Sequence, residues 1–214
     1  YAGAGDNVIA GDAGSDTLSW AYGVTGAAGV SASLVTHTAS DGSGADTFTG
    51  IEHLTSSAND DSLTGDSSGN ELNGAGGNDL LIGGAGADTL IGGSGADQMI
   101  GGDGSDTYYV DDSGDGVTET DADPATGGSD TVYSFLRAYT LPDNVENGGI
   151  RSATAADLTG NGLDNLLYAD TGDNLIAGDE GSYLLQVIQE HAIADPKKPG
   201  EELIGVMPPN RALK

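Results

Sequence analysis

The chain has 214 residues, of which 34 are Asp or Glu and six are Lys or Arg, for a formal net charge of −28. That field argues against nucleic acid, anionic membrane surfaces and polyanionic glycans as direct partners, and it expands the chain when no cation screens it. There is no cysteine, so disulfides do not staple the fold. No apolar run approaches the ~18 residues of a membrane span, so no membrane insertion by this segment is expected, and no signal peptide is visible.

A nine-residue register organises most of the chain. It begins at residues 2–10 (AGAGDNVIA) and 11–19 (GDAGSDTLS), with Asn7 and Asp16 at position six. Residues 20–55 interrupt it: Val30–Thr36 alternates like a strand, 41–49 (DGSGADTFT) is one further unit carrying Phe48, and Gly50–Thr55 is a connector. The main block runs from 56 to 118. Within it, residues 74–109 read GAGGNDLLI, GGAGADTLI, GGSGADQMI and GGDGSDTYY, one unit written four times without a break. The next unit, VDDSGDGVT, is degenerate but stays in phase. A second interruption covers 119–159, with a Gly/Pro/Asp-rich loop at 121–128 and strand-like stretches around Val132 and Tyr139. Two last units follow at 160–168 and 169–177, with Asn165 and Asn174 at position six, where cation binding should be weak or absent.

The unit has two halves. Glycines such as Gly83, Gly84 and Gly86 permit the positive φ and close backbone approach of a tight turn. The three residues after Asp88 form a minimal strand that sends Leu90 to one face and its neighbours to the other. Two units make one flattened coil, so residues eighteen apart occupy the same place in successive coils, whose strands pair in parallel about 4.8 Å apart. The inward row is Leu63, Leu72, Leu81, Leu90, Met99, Tyr108 and Val117, a thin core. The position-six row is Asp61, Asn70, Asp79, Asp88, Asp97, Asp106 and Asp115. Stacked carboxylates repel, and a hard cation with oxygen ligands such as Ca²⁺ resolves the repulsion.

The tandem units fit G-G-x-G-x-D-x-U-x, with U a large apolar residue, which is the known pattern of calcium-binding parallel β-helix repeats. The chain resembles the RTX family, the hemolysin-type calcium-binding repeats of secreted bacterial toxins, proteases and lipases. The resemblance implies an all-β fold, a right-handed parallel β-roll of eighteen-residue coils with several bound Ca²⁺ ions, over residues 1–182. It also implies ligands. One site joins Ala75, Gly77 and Asp79 to Gly92, Ser94 and Asp97; a second joins Gly84, Gly86 and Asp88 to Gly101, Asp103 and Asp106. Flanking sites would pair Asp61 with Asp79, Asn70 with Asp88, and Asp97 with Asp115. The function implied is a non-enzymatic module, secreted or at the bacterial cell surface, that folds on calcium outside the cell and supports export, by type I secretion, and stability of a fused partner domain. The alternatives are a structural repeat of an adhesin or surface-layer protein, or an accessory domain of a secreted hydrolase.

Other motifs carry less. Gly65-Asp-Ser-Ser-Gly matches a hydrolase nucleophile elbow but sits inside the repeat register with no His fixed nearby. Asp111–Gly116 resembles the start of an EF-hand loop, yet its twelfth position is Ala122 instead of Glu. His37, His53 and His191 show no metal or triad spacing. Trp20, Tyr22 and Phe48 read as cover for the interrupted coils, with a sugar-binding platform as the lesser reading, and Asp195-Pro196 reads as a chance dipeptide. Residues 168–182 match residues 1–15 at eleven of fifteen positions, after which the register breaks. The tail, 183–214, holds four basic and four acidic residues and is neutral. Leu184, Val187, Ile188 and His191 follow helical spacing, so a short helical cap is expected there, with extended chain after it at Pro196, Pro199, Pro208 and Pro209; a linker or a tail foreign to the roll are the other readings.

Overall fold

A computed structural model of the chain describes residues 5–21, 28–120, 126–152, 154–170 and 174–178, and the backbone of three strands at 183–187, 193–194 and 202–203. Every regular element among the described residues is a β-strand, and the chain divides into two compact units, Tyr1–Gly128 and Ser129–Lys214.

The strands of the first unit are β1 (Val8–Ala10), β2 (Thr17–Ser19), β3 (Ser31–Ser33), β4 (Thr38–Ser40), β5 (Ala45–Thr49), β6 (His53–Thr55), β7 (Ser62–Thr64), β8 (Glu71–Asn73), β9 (Leu80–Ala85), β10 (Thr89–Ile91), β11 (Gln98–Asp103), β12 (Thr107–Val110) and β13 (Gly116–Thr118). Two parallel ladders take alternate strands. One aligns Leu63, Leu81, Met99 and Val117 through β7, β9, β11 and β13. The other aligns Leu54, Leu72, Leu90 and Tyr108 through β6, β8, β10 and β12. The eighteen-residue coil is therefore present, and each strand turns its position-eight side chain inward. Leu54, Leu63, Leu72, Leu81, Leu90, Met99 and Tyr108 are fully buried, whereas Val117 on the terminal strand β13 is only half-buried.

The strands at 31–33, 45–49 and 53–55, within the segment read as an interruption, 20–55, join the parallel ladders; residues 22–27 lie outside the described residues. β4 runs antiparallel to both β3 and β5, an inserted hairpin. Around it the parallel register holds, with Ile9 opposite Phe48, Ala32 opposite Leu63 and Leu18 opposite Leu54. Trp20 and Phe48 are buried in the core beside Leu18 and Leu34, so neither ring offers a platform to a sugar. Tyr22 lies outside the described residues.

The turns stack so closely that several positions accept only glycine. Gly95 has φ +128°, and a methyl placed on it would lie 1.7 Å from the Gly77 carbonyl oxygen one coil earlier. At Gly14 φ is +146°, but such a methyl would meet nothing within 4 Å. Gly95→Ala should therefore cost about 2–5 kcal/mol, combining left-handed strain with overpacking, and Gly14→Ala only the backbone share. Thermal melts of the two variants under one calcium concentration check the ordering; an equal loss would mean that the turns are not in contact.

The second unit contains β14 (Thr131–Ser134), β15 (Ala138–Thr140), β16 (Asn147–Ile150), β17 (Asp157–Thr159), β18 (Asn165–Ala169), β19 (Leu175–Ala177), β20 (Tyr183–Val187), β21 (Ile193–Ala194) and β22 (Glu202–Leu203). β14, β16, β18 and β20 form one parallel ladder, and β15, β17 and β19 another. Val132, Val145, Ile150, Leu158, Leu167 and Ile176 fill the space between them. Most of the second interruption is thus coil as well; residues 121–125 of its loop lie outside the described residues.

The helix expected from Leu184 onward is not formed at its start: Tyr183–Val187 is a strand, paired in parallel with β18 from Asn165↔Tyr183 to Ala169↔Val187. A strand edge carries a row of open N–H and C=O groups, whereas a short isolated helix is marginal in water. The ladder's hydrogen bonds therefore outweigh the local spacing. Ile188, His191 and the Asp195-Pro196 dipeptide lie outside the described residues.

Candidate metal centre

The turns that join the two ladders carry the acidic row. Their position-six side chains point inward and are buried: Asp79, Asp88, Asp97 and Asp106 are each at most 2 % exposed. Along each ladder the Oδ1 of position six accepts the backbone N–H of position six one coil earlier. Asp79 accepts from Asp61 at 2.8 Å, Asp97 from Asp79 at 2.8 Å and Asp115 from Asp97 at 3.1 Å; Asp88 accepts from Asn70 at 2.7 Å and Asp106 from Asp88 at 2.8 Å. These bonds fix each carboxylate across the gap between coils.

The second oxygen has a different environment. Oδ2 of Asp79, Asp88 and Asp97 is buried with no hydrogen-bond partner. A methyl placed on Gly74 would lie 2.2 Å from Asp79 Oδ2 and 2.6 Å from the Gly92 carbonyl oxygen; on Gly83 it would lie 2.4 Å from Asp88 Oδ2 and 2.7 Å from the Gly101 carbonyl oxygen. The orphaned oxygens of Asp79 and Asp88 thus each share a small cradle with a carbonyl oxygen of the following coil. The remaining expected ligands line the same turns. The Ala75 carbonyl accepts the Ser94 N–H at 3.2 Å, the Ser94 carbonyl the Gly77 N–H at 3.0 Å and the Asp103 carbonyl the Gly86 N–H at 2.8 Å. The carbonyl oxygens of Gly77, Gly84 and Gly86 press against Gly95, Gly102 and Gly104, where an added methyl would meet them at 1.7, 2.1 and 1.8 Å. A carbonyl engaged by one N–H keeps a second lone pair.

Electrostatics follow from this burial. Asp79 and Asp88 are pushed up to about 7 and Asp106 to about 6, and Asp97 is raised, in every case chiefly because burial penalises the charged form. Neighbouring carboxylates add to the rise, Asp61 and Asp97 at Asp79 and Asp115 at Asp97. A buried carboxylate with one oxygen left without a donor carries a desolvation cost that a cation or a proton compensates. The donor set is oxygen only, carboxylate and carbonyl on a turn-built frame, which fits Ca²⁺ and not a metal that prefers nitrogen or sulfur.

The flanking residues differ. Asp61 Oδ2 accepts the Ser57 N–H at 2.8 Å and its hydroxyl at 3.0 Å. Asp115 Oδ2 accepts the N–H groups of Asp111 and Asp112, both at 3.0 Å. Asn70 accepts the Asp66 N–H at 2.8 Å and donates to the Glu52 carbonyl at 2.9 Å. The EF-hand-like stretch is this Asp115 turn, and the strand β12 precedes it where an EF-hand would have a helix.

Two residues are not reached by the repeat register. Counting eighteen residues from Asp16 leads to Leu34, but the Asp16 N–H donates to Glu52 Oε2 at 2.9 Å, and Asn7 stands opposite Asp46, whose Oδ1 accepts the Asn7 N–H at 2.9 Å. The inserted hairpin shifts the spacing, so a fixed offset fails there. Glu52 was legible only from its place before His53-Leu54-Thr55, which imitates the strand half of a unit. Ser67, of the elbow-like pentapeptide, lies exposed in a repeat turn, with no helix after it. The Ser15 hydroxyl sits 2.6 Å from His53 Nε2, while His53 Nδ1 accepts the Glu71 N–H at 2.9 Å. A neutral His53 therefore carries its proton on Nε2 and donates to Ser15, the reverse of what a general base requires. His37 packs 6.2 Å from the Phe48 ring.

A family model for the RTX calcium-binding nonapeptide repeat matches the chain in four copies, at residues 1–19, 47–81, 73–108 and 158–182. No curated protein is matched by the chain. The second and third copies span the turns that hold the buried carboxylates Asp79, Asp88 and Asp97. Repeat pattern, parallel coils and donor set agree: the chain belongs to the RTX calcium-binding nonapeptide repeat family, and its fold is a β-roll.

Proposed function

We propose that the chain is a calcium-gated folding module of a larger secreted bacterial protein, with residues 1–182 as the roll and 183–214 as its C-terminal cap or linker. The observation that carries this reading is the orphaned Oδ2 of Asp79, Asp88 and Asp97, each buried, with a backbone carbonyl oxygen beside it at Asp79 and Asp88. Ala75, Gly77, Asp79, Gly92, Ser94 and Asp97 would hold one ion, and Gly84, Gly86, Asp88, Gly101, Asp103 and Asp106 a second. Calcium, when bound, supplies the positive charge that these oxygens lack. The chain's own part is to hold the turns in register and to exclude water through the inward row. Where calcium is scarce the acidic chain stays expanded and exportable. Extracellular calcium, at the roughly 10⁻⁴–10⁻³ M that such modules need, converts binding free energy into folding free energy.

No catalysis is assigned to the chain, given the His53 tautomer and the exposed Ser67. A second reading, a repeat unit of an adhesin or surface-layer protein, is favoured by the near-identity of residues 168–182 to residues 1–15, the pattern that tandem copies would leave. Circular dichroism tests the main reading. In EGTA the chain should show little β-structure and should gain it cooperatively on calcium addition. Mg²⁺, which demands tighter octahedral geometry and keeps its waters, should substitute poorly. A spectrum indifferent to calcium would sink the idea.

A further inference from the structure

The position-six row contains two kinds of turn. In the first kind, position two is left-handed (φ +67° at Ala75, +116° at Gly84, +92° at Gly93, +105° at Gly102), and position four is a left-handed glycine (Gly77, Gly86, Gly95 and Gly104). The position-two N–H is then turned away from the carboxylate; that of Ala75 goes to Asn73 Oδ1 at 2.9 Å. In three of these turns Asp79, Asp88 and Asp97 keep an orphaned Oδ2.

In the second kind, position two is Ser57, Asp66, Asp111 or Asn161 and position four is Asn59, Ser68, Ser113 or Leu163, none of them left-handed. Here the position-two N–H points inward and donates to the position-six side chain four residues on. The bonds are Ser57 to Asp61 at 2.8 Å, Asp66 to Asn70 at 2.8 Å, Asp111 to Asp115 at 3.0 Å and Asn161 to Asn165 at 2.9 Å. At Asp61 and Asp115 both carboxylate oxygens are thereby held by backbone N–H groups. At the asparagines the amide completes the closure. Asn165 Nδ2 donates to the carbonyls of Val145 and Glu146, both at 3.2 Å, as Asn70 Nδ2 donates to Glu52. An amide N–H₂ thus meets the carbonyl oxygens of the earlier coil, the kind of group that faces an orphaned carboxylate at Asp79 and Asp88.

We propose that the backbone at positions two and four, and not the carboxylate at position six alone, decides which turns take calcium. The left-handed turns at 74–79, 83–88, 92–97 and 101–106 ligate the ion through their carboxylates. The self-capped turns at 56–61, 65–70, 110–115 and 160–165 fold without it, their own N–H groups taking the place of the cation. The inference rests on the calcium reading above and narrows it, since it removes the side chains of Asp61, Asn70 and Asp115 from the ligands that the repeat pattern alone would nominate. The physical reason is competition for the same lone pairs. A carboxylate oxygen saturated by N–H groups offers a cation less and needs it less.

Two measurements on the full chain test this. Anomalous scattering from crystals grown with calcium should place ions against Asp79, Asp88 and Asp97 and none against the side chains of Asp61 or Asp115. Equilibrium dialysis at saturating calcium should count as many ions on Asp115→Asn as on the wild type, even if weaker capping raises its folding midpoint, and fewer on Asp79→Asn. An ion seated on the Asp61 or Asp115 carboxylate, or an ion lost from Asp115→Asn, would overturn the proposal while leaving calcium binding intact. A chain that binds no ion in either experiment would instead overturn the calcium reading itself. If Asp115→Asn does not fold, the wild-type crystals decide alone.

Discussion

Asp97→Ala should raise the calcium concentration needed for folding far more than Asp16→Ala. Asp97 is fully buried, its Oδ1 holds the Asp79 N–H of the preceding coil, and its Oδ2 is one of the orphaned oxygens that a cation must compensate. Its own N–H donates to Asp115 at 3.1 Å, so it links coils on both sides. Alanine leaves the Asp79 N–H unsatisfied in a buried site, at about 1–3 kcal/mol, and removes an ion ligand as well. Because each coil rests on its neighbours, the loss spreads along the roll. Asp16 is half-exposed, its turn is left-handed at position four (Gly14) but not at position two (Asp12), and its N–H bond to Glu52 Oε2 survives the substitution. Calcium titrations of both variants, followed by calorimetry, compare the midpoints directly. Equal midpoints would mean that Asp97 is not a ligand.

Acid should partly replace calcium. The carboxyls of Asp79 and Asp88 stand near 7 in the folded chain and near 3.8 when exposed, because burial disfavours the anion. A carboxyl raised on folding penalises the folded state only where the exposed group has already lost its proton. The penalty is absent below about pH 4, grows between about pH 4 and 7, and is complete above that window. Without calcium, the chain should therefore gain β-structure as the pH falls from about 8 to about 5, and calcium should contribute less at the acid end, where protons occupy its ligands. Lower overall repulsion acts in the same direction. The double variant Asp79→Asn/Asp88→Asn separates the two, because it should flatten the titration while leaving most of the charge in place. Circular dichroism across this range in EGTA reads the effect. A wild-type chain equally unstructured at both ends would show that the buried carboxyls do not control folding.

These outcomes bear on how far a sequence exposes such a fold. The strand half of the unit was fully legible: an apolar residue at position eight recurs from Leu63 to Tyr108, and period-two geometry leaves it only one way to face. The carboxylates Asp79, Asp88 and Asp97 were legible for the same reason, as a fixed offset from that row. What the fixed offset missed is where the chain departs from eighteen residues, at the hairpin of β3 and β4, because nothing local announces that Glu52 takes the place opposite Asp16. Tyr183–Val187 failed differently. Its spacing favoured a helix, but a distant strand edge, β18, supplied hydrogen bonds that local pattern does not encode. Within residues 56–118 the partition of the turns was present in the sequence, as glycine or its absence at position four, but its meaning emerges only when the direction of one N–H group is seen.

The eighteen-residue return of the chain also governs how the molecule can assemble in time. Each new coil closes a loop of the same short length against the coil before it, so the entropic toll of adding a coil does not grow with the number already laid down. The hairpin-bearing stretch lengthens that excursion from 18 residues to 39 between Asn7 and Asp46. Closure entropy grows with the logarithm of loop length, so this doubling costs about 0.6–0.7 kcal/mol, less than one buried hydrogen bond. A spooled chain of this kind can therefore absorb an insertion between coils at little thermodynamic cost, provided that the strands on either side regain the ladder.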